Sequence, residues 1–584
     1  MAVTPDADPP SFERDFHDAS RRFTRIGPGS IGGKAEGLWR IRERILGRID
    51  PADHPWARVQ VPTLAVVGAD HFRSFVVRNR LSDLLSRNAD DDRIAHVFQR
   101  AELPAELVGD LRALIGAVHT PLAVRSSSRL EDALDHPFAG VYTTKMIPNN
   151  EIEEDLRFRR IESALKLVYA STWFGAARSA QHAAGVEPVD EAMAVILQEV
   201  VGRRRGDRFY PTVSAVARSW NFYPPTGARP EDGVVSLALG LGKTIVDGGV
   251  CWSYSPAAPA APPPFNDVGE LLDNTQRRFW AVHMGPPPLP DPIRETECMI
   301  QADLATAESD GVLRYLVSTY DAGADRLYPG LASRGPRAVT FAPLLAGRLL
   351  PFPDLVRTLV AAAEEEMGGP VEIELAVTLD DEADPPVQVG FLQVRAMQVA
   401  NGETVVEASE LDAADAVVAT GAVLGHGRRD DIRDVVYLPP ERFDRSATPV
   451  IAKQVEAVNR QLVEAGRPYL LIGFGRWGTS DPWLGIPTAW GQISGARVIV
   501  ESTLPDVRPE LSQGSHFFHN LLAFHILYLS VEHDGPHPVD WSWLARCEEV
   551  SSSDHVRHVQ TSEPLDVRVA GGARRGVIRH HGRR

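Results

Sequence analysis

The chain has 584 residues, 43% of them apolar and 24% charged. That is the composition of a globular protein of several domains, and it excludes wholesale disorder, collagen and coiled coil. A net charge of −17 argues against nucleic acid as a partner, so any anion must be bound by locally placed Lys and Arg.

In chain order, residues 1–22 are polar and rich in Pro and Asp, and read as a mobile N-terminal segment. Gly27 to Leu46 opens on glycines and runs into a helical pattern with Leu38, Ile41 and Ile45 in step. Val59–Val67 reads as one buried strand, and Ala69–Leu85 as a helix with Phe72, Phe75, Val76 and Leu81 on one side. Pro121–Arg125 reads as a short strand feeding a Ser-rich loop, and Ala192–Val201 and Val234–Leu239 as two further strands. Pro256–Pro264 and Pro286–Pro292 read as surface excursions, because Pro removes backbone donors and stiffens the chain. Val371–Val377 and Gln388–Val394 flank an Asp/Pro-rich loop and predict a hairpin. Val399–Ala408 reads as a boundary, followed by a separate α/β region.

Leu521–Val531 is the longest nearly apolar stretch, far short of the roughly 20 residues of a membrane span. Asn520–Val531 is read as a buried helix, and Arg574–Arg584 as a solvated basic tail. Cys251, Cys298 and Cys547 are far apart in sequence, which argues against a disulfide framework or a Cys-based zinc site and for a reducing, cytoplasmic setting. No signal sequence or membrane partner is expected.

Two segments carry phosphate chemistry. Ile31-Gly32-Gly33-Lys34-Ala35-Glu36-Gly37-Leu38 precedes a helix. Glycines let backbone N–H groups approach a phosphate, and Lys34 supplies a point charge. Alone, the segment reads first as a tight turn with a surface lysine. Val124-Arg125-Ser126-Ser127-Ser128-Arg129-Leu130-Glu131-Asp132 continues to Phe138-Ala139-Gly140-Val141-Tyr142. Its serines can donate to phosphate oxygens and its Arg can bind them bidentately; the alternative is a Ser-rich turn with a helix cap.

Together these two segments resemble the nucleotide-binding domain of the pyruvate phosphate dikinase and phosphoenolpyruvate synthase family, an ATP-grasp fold. Val61-Pro62 through Phe72 to Leu81 is similar to that family's first strand and helix. Ala238-Leu239-Gly240-Leu241-Gly242-Lys243 through Val246-Asp247-Gly248-Gly249 resembles its G-L-G-E and V-x-G stretch, with Lys243 where the family usually has Glu. Glu372-Ile373-Glu374-Leu375 and Leu392-Gln393-Val394-Arg395 resemble its D-I-E-W and L-Q-x-R-P ending, with Ala396 in place of Pro.

The resemblance implies an α/β and α+β multidomain chain, with an ATP-grasp fold over residues 23–400 and a smaller α/β domain over 401–584. It implies ATP and Mg²⁺ as cofactors. Lys34, Arg125, Ser126, Gln198, Glu199, Gly242 and Gln393 are the implied ATP contacts, with Gln198 and Glu199 toward adenine and ribose. Glu374 and Gln393 are the implied metal ligands, since Mg²⁺ takes one or two hard oxygen donors from protein and the rest from phosphates and water. Arg395, two residues on from Gln393, points the same way along a strand and is the implied catalytic cation at the transferring phosphoryl group.

The C-terminal third departs from the family. Neither the phosphohistidine motif G-G-x-T-S-H nor room for a pyruvate-binding barrel is visible, because about 180 residues cannot hold a (β/α)₈ barrel of around 250. Gly473 to Gly485 instead packs glycines around Arg476, Trp477, Asp481 and Trp483. This loop is a candidate site for a small-molecule acceptor, with Trp as a stacking platform, or a structural turn. Gly514-Ser515-His516 faintly echoes Thr-Ser-His. His516 is a candidate phosphoryl carrier, or else a packed histidine. The expected activity is an ATP-dependent phosphotransferase of kinase or dikinase type, its rival a non-catalytic ATP-binding regulator.

Overall fold

The computed structural model describes residues 8–14, 22–86, 89–131, 140–183, 186–188, 190–222, 224, 228–261, 268–332, 334–346, 350–397, 399, 404–479, 481, 483–505, 517, 521 and 526–580. The chain is a mixed α/β protein divided into two compact units. One comprises Met1–Ser219, Gly233–Thr244 and Val250–Met397, the other Trp220–Asp232, Ile245–Gly249 and Gln398–Arg584. Among the described residues no helix is long and apolar enough to cross a membrane.

The first unit holds two larger sheets. A five-stranded sheet runs in the order Phe23–Ile26, Leu64–Val67, Ala194–Glu199, Leu122–Ser127, Thr144–Ile147. Helix Glu154–Ser171 and its neighbours cover it with an aromatic cluster that includes Phe72, Phe75, Phe98, Tyr169 and Trp173. A six-stranded sheet runs in the order Trp252–Tyr254, Val234–Ala238, Val213–Arg218, Val371–Leu379, Val387–Ala396, Ala57–Gln60.

Four strands and two helices matter for the site. They are β1 (Leu122–Ser127), β2 (Val213–Arg218), β3 (Val371–Leu379), β4 (Val387–Ala396), α1 (Gly32–Arg40) and α2 (Phe352–Met367). The period-two pattern of β3 sends Ile373, Leu375 and Val377 into the core. They pack with α2, whose Phe352, Leu355, Val356, Leu359 and Ala363 form one apolar stripe. Glu372 and Glu374 are left on the opposite face of the sheet. The predicted hairpin is present as β3 and β4, paired antiparallel.

Several boundaries differ from the sequence expectation. Val59–Val67 is two strands, Ala57–Gln60 and Leu64–Val67, which join different sheets. Pro62 between them lacks the N–H a continuous ladder needs. The helix expected over Ala69–Leu85 ends at Arg78, and Arg80 at φ 54° turns the chain before a short helix, Asp83–Ser86. Ser126 and Ser127 lie in β1 itself, not in a loop after it.

The second unit is built on a large mixed sheet. Four neighbouring strands are mutually parallel: β5 (Gly427–Tyr437), β6 (Tyr469–Phe474), β7 (Ala496–Ser502) and β8 (Leu527–Val531). Helix α3 (Thr448–Glu464) joins β5 to β6 and packs on one face with Leu471, Ile499 and Tyr528. Two expectations fail here. Leu527–Val531 is a buried strand, not part of a helix: an apolar run does not by itself reveal its period, and here Leu527, Leu529 and Val531 line one face while Tyr528 packs on the other. Arg575–Arg579 is no solvated tail but a strand between Ala416–Thr420 and Arg557–Ala570, held because Val577 and Ile578 are buried between its arginines.

Candidate functional site

The site begins with the glycine segment, which docks onto the serine run. Ser127 Oγ donates to the Ile31 carbonyl at 2.7 Å and accepts from the Ala35 N–H at 3.0 Å. The Gly33 N–H donates to the Ser128 carbonyl at 3.0 Å. Gly32 has φ 74°, and a Cβ there would lie 1.7 Å from the Ser127 carbonyl oxygen, so glycine is required sterically. Lys34 at the start of α1 is buried, its ammonium on the Glu131 carboxylate and 3.4 Å from Ser126 Oγ. The surface lysine of the simplest reading is therefore excluded.

The face of the six-stranded sheet opposite α2 carries a largely buried ladder of charge. In the register, Glu372 of β3 lies between Arg218 of β2 and Arg395 of β4. Glu374, two residues on, lies beside Gln393. Arg218 Nε donates to Glu372 Oε2 at 2.6 Å. Arg395 reaches both carboxylates, with Nη1 3.8 Å from Glu372 Oε1 and Nη2 3.7 Å from Glu374 Oε1. A bulge between Glu374 and Leu375 leaves Leu392 as an extra residue in β4.

Arg125 of β1 comes from the other sheet onto this ladder. Its Nη1 donates to the Leu392 carbonyl at 3.0 Å and to Gln198 Oε1 at 3.1 Å. Its Nη2 donates to Gln393 Oε1 at 3.0 Å and lies 3.8 Å from Glu374 Oε2. Among the described residues three guanidiniums and two carboxylates meet here in one dense cluster of charge. Gln198 is buried, and its Nε2 has no hydrogen-bond partner among the described residues, so a donor is available for a ligand acceptor. Glu199 accepts from Thr120 Oγ1 at 2.7 Å.

Gly240 and Gly242 lie against Ser214 at the other end of β2, with Ser214 Oγ donating to the Gly240 carbonyl at 2.7 Å. Lys243 Nζ is 3.5 Å from Glu295 Oε1. Within one unit the contacts form two groups: Lys34 and Ser126 with Glu131, and Arg125, Gln198, Glu374, Gln393 and Arg395 with Arg218 and Glu372. Arg218, Glu372 and Glu131 were not singled out from sequence. Arg218 ends an alternating strand, and Glu372 stands two residues before Glu374, so period-two reading alone places both on this face.

Mg²⁺ chemistry can be tested against the donor set. Glu374 and Gln393 offer a carboxylate and an amide oxygen on adjacent strands, which fits the one or two protein oxygens a Mg²⁺ ion takes. Among the described residues no group of three or more His, Cys, Asp or Glu could hold a metal ion, so the remaining ligands would come from phosphate and water.

The acceptor candidates of the second unit do not form one exposed patch. Trp477 is buried in the core and Trp483 is 63% exposed, so only Trp483 is open to stacking. Arg476 is buried, donating from Nη1 to the carbonyls of Gly248 and Gly249 at 2.8 and 3.3 Å. Asp481 Oδ1 accepts the Trp483 N–H at 2.9 Å and shapes the turn. His516 lies outside the described residues.

Residues 29–257 match the model of the pyruvate phosphate dikinase AMP/ATP-binding domain. That range contains Lys34, Arg125, Ser126, Gln198, Glu199 and Gly242, and it stops short of Glu374, Gln393 and Arg395. The phosphoenolpyruvate synthase of Aeropyrum pernix is 24% identical over 242 residues, covering 38% of this chain and 26% of the relative. The chain thus spans about a quarter of the length of the curated relative it matches. Residues 29–257 are thus similar to a dikinase-type AMP/ATP-binding domain.

Proposed function

We propose that the chain is an ATP- and Mg²⁺-dependent phosphotransferase, with the triphosphate lying over the charged ladder of β2, β3 and β4. The observation that carries this reading is Arg125, whose guanidinium joins Gln198 on one sheet to Gln393 and Glu374 on the other. A residue that only anchored a nucleotide would not need to sit on the pair of oxygen donors suited to a metal.

Glu374 and Gln393 would hold the Mg²⁺, which supplies charge neutralisation at the transferred phosphoryl group. Arg125 and Arg395 would bind and orient the equatorial oxygens, where charge spreads in the transition state. Gln198 Nε2 would donate to the base or ribose, and the serines of β1 would keep the glycine segment against the phosphates. The phosphoryl group would pass to a small-molecule acceptor, directly or through His516. A cytoplasmic setting accords with this reading.

The test is a ³¹P NMR product assay with Mg-ATP and a metabolite panel. Release of ADP, or of AMP and phosphate, that vanishes in Glu374→Gln supports phosphotransfer. Tight ATP binding with no turnover for any acceptor would favour a nucleotide-gated regulator instead.

A further inference from the structure

The second unit carries a polar row that the nucleotide reading does not use. In the parallel register of β6, β7 and β8, Gly473, Glu501 and Ser530 stand side by side at the carboxyl ends of the strands. Neighbouring strands lie about 4.8 Å apart, so the row spans roughly 10 Å. Open α/β sheets bind ligands outside the carboxyl ends of their parallel strands.

Each position in the row presents a buried polar group. The Trp477 indole lies across Gly473: a Cβ on that glycine would be 2.3 Å from Cζ2 and 3.0 Å from Cε2, the ring edge that carries Nε1. Trp477 Nε1 is buried with no hydrogen-bond partner among the described residues. Ser530 Oγ is also buried and likewise unpartnered among them. Between them Glu501 is buried and takes the Tyr528 hydroxyl proton in a hydrogen bond. The Arg476 charge acts on Glu501 from the loop after β6.

We propose that this row is a binding site for a small oxyanion, a carboxylate or a phosphate, held by Trp477 Nε1–H, the Ser530 hydroxyl and Arg476, with the Glu501 carboxyl at its centre. The argument is one of chemical parity. An indole N–H can only donate and Ser530 Oγ–H can donate, so a partner common to both would be an acceptor. Arg476, whose charge reaches Glu501 in the middle of the row, makes an anionic acceptor the better match. Glu501 does not repel such a ligand at pH 7: burial pushes its carboxyl up to about 8, so it keeps its proton and is a further donor.

The inference stands apart from the nucleotide reading. It is tested on the full-length protein without nucleotide or Mg²⁺, titrated calorimetrically with inorganic phosphate in one arm and oxalate in the other. One arm should give saturable binding. Ser530→Ala and Trp477→Phe should each weaken it by about tenfold, the worth of one hydrogen bond to a charged group. Arg125→Ala, in the other unit, removes phosphate binding at the nucleotide site, and the saturable event that remains in that variant is the one read. Ser530→Ala removes one hydroxyl without enlarging a side chain, so it reports even where Trp477→Phe fails to fold. No binding in either arm, or wild-type binding in Ser530→Ala, overturns the proposal. Loss of binding in Arg125→Ala overturns it too, by assigning the probe to the nucleotide site.

Discussion

Glu374 and Gln393 face each other across β3 and β4, and a single atom, Arg125 Nη2, lies 3.0 Å from the Gln393 oxygen and 3.8 Å from the Glu374 carboxylate. An oxygen pair suited to a hard cation is thus occupied by a cation of the protein. Binding of Mg-ATP should move Arg125 from this pair to phosphate oxygens.

Glu374→Gln keeps the shape of the side chain and removes one charge from the pair. Turnover of ATP should be abolished at matched Mg²⁺. The melting temperature should change little, because the amide is isosteric and keeps an oxygen for Arg125 and Arg395 to face. Unchanged turnover would remove Glu374 from the metal assignment.

Arg125→Lys should not restore function. The planar fork spans two sheets through three acceptors, whereas an ammonium is a single point charge. Losing charge-assisted hydrogen bonds, each worth roughly 1.5–3 kcal/mol, should weaken nucleotide binding by about ten- to a hundredfold. Calorimetry giving wild-type affinity in Arg125→Lys would show that the guanidinium is not used.

Arg218 and Glu372 are buried and hydrogen-bonded. Arg218→Met leaves Glu372 with less compensation, and stability in denaturant should fall by about 3 kcal/mol, the low end for breaking a buried pair, because Arg395 still faces Glu372. Adding Glu372→Gln should recover part of that loss. A double variant less stable than the single one would contradict the pairing.

Glu501 makes the second unit sensitive to pH in a definite direction. Its carboxyl is raised by burial to about 8 in the folded chain, from the ordinary value near 4.5. The folded state therefore binds the proton more tightly than the unfolded state. Stability should be fullest below pH ~4.5 and decline as the pH rises toward 8, by an amount on the order of a few kcal/mol. Glu501→Gln should flatten this part of the stability profile, and a slope identical to wild type would place the proton elsewhere.

His516 is tested by chemistry alone. Protein incubated with γ- or β-labelled ATP should carry label that survives alkali and is lost in acid. His516→Ala should lose it and His519→Ala should keep it. Turnover without such label under single-turnover conditions would point to direct transfer.

Much of the candidate site was legible because its signals are local. The hairpin follows from two apolar runs around an Asp/Pro loop, and period two then puts Glu374, Gln393 and Arg395 on one face. The glycine and serine segments were each legible as phosphate-binding types. Their docking through Ser127 and Gly32 was not, because it joins residues about 95 positions apart in sequence. The failed readings share one cause. Leu527–Val531 and Arg575–Arg579 have compositions that suit more than one state, and only neighbouring strands decided between them.

The amino-acid pattern by itself determined which residue types could bind phosphate and which strand faces they occupy. Tertiary structure alone decided which of them meet. It brought Arg125 onto a bulge in another sheet, paired Lys34 with Glu131, drew Arg218 and Glu372 into the ladder and buried Arg476 and Trp477 that sequence had offered as a surface. The physical reason is the same in each case. Side-chain direction along a strand is set by a local repeat, whereas the partner of a buried charge is set by whichever opposite charge or acceptor the folded chain brings within a few ångströms.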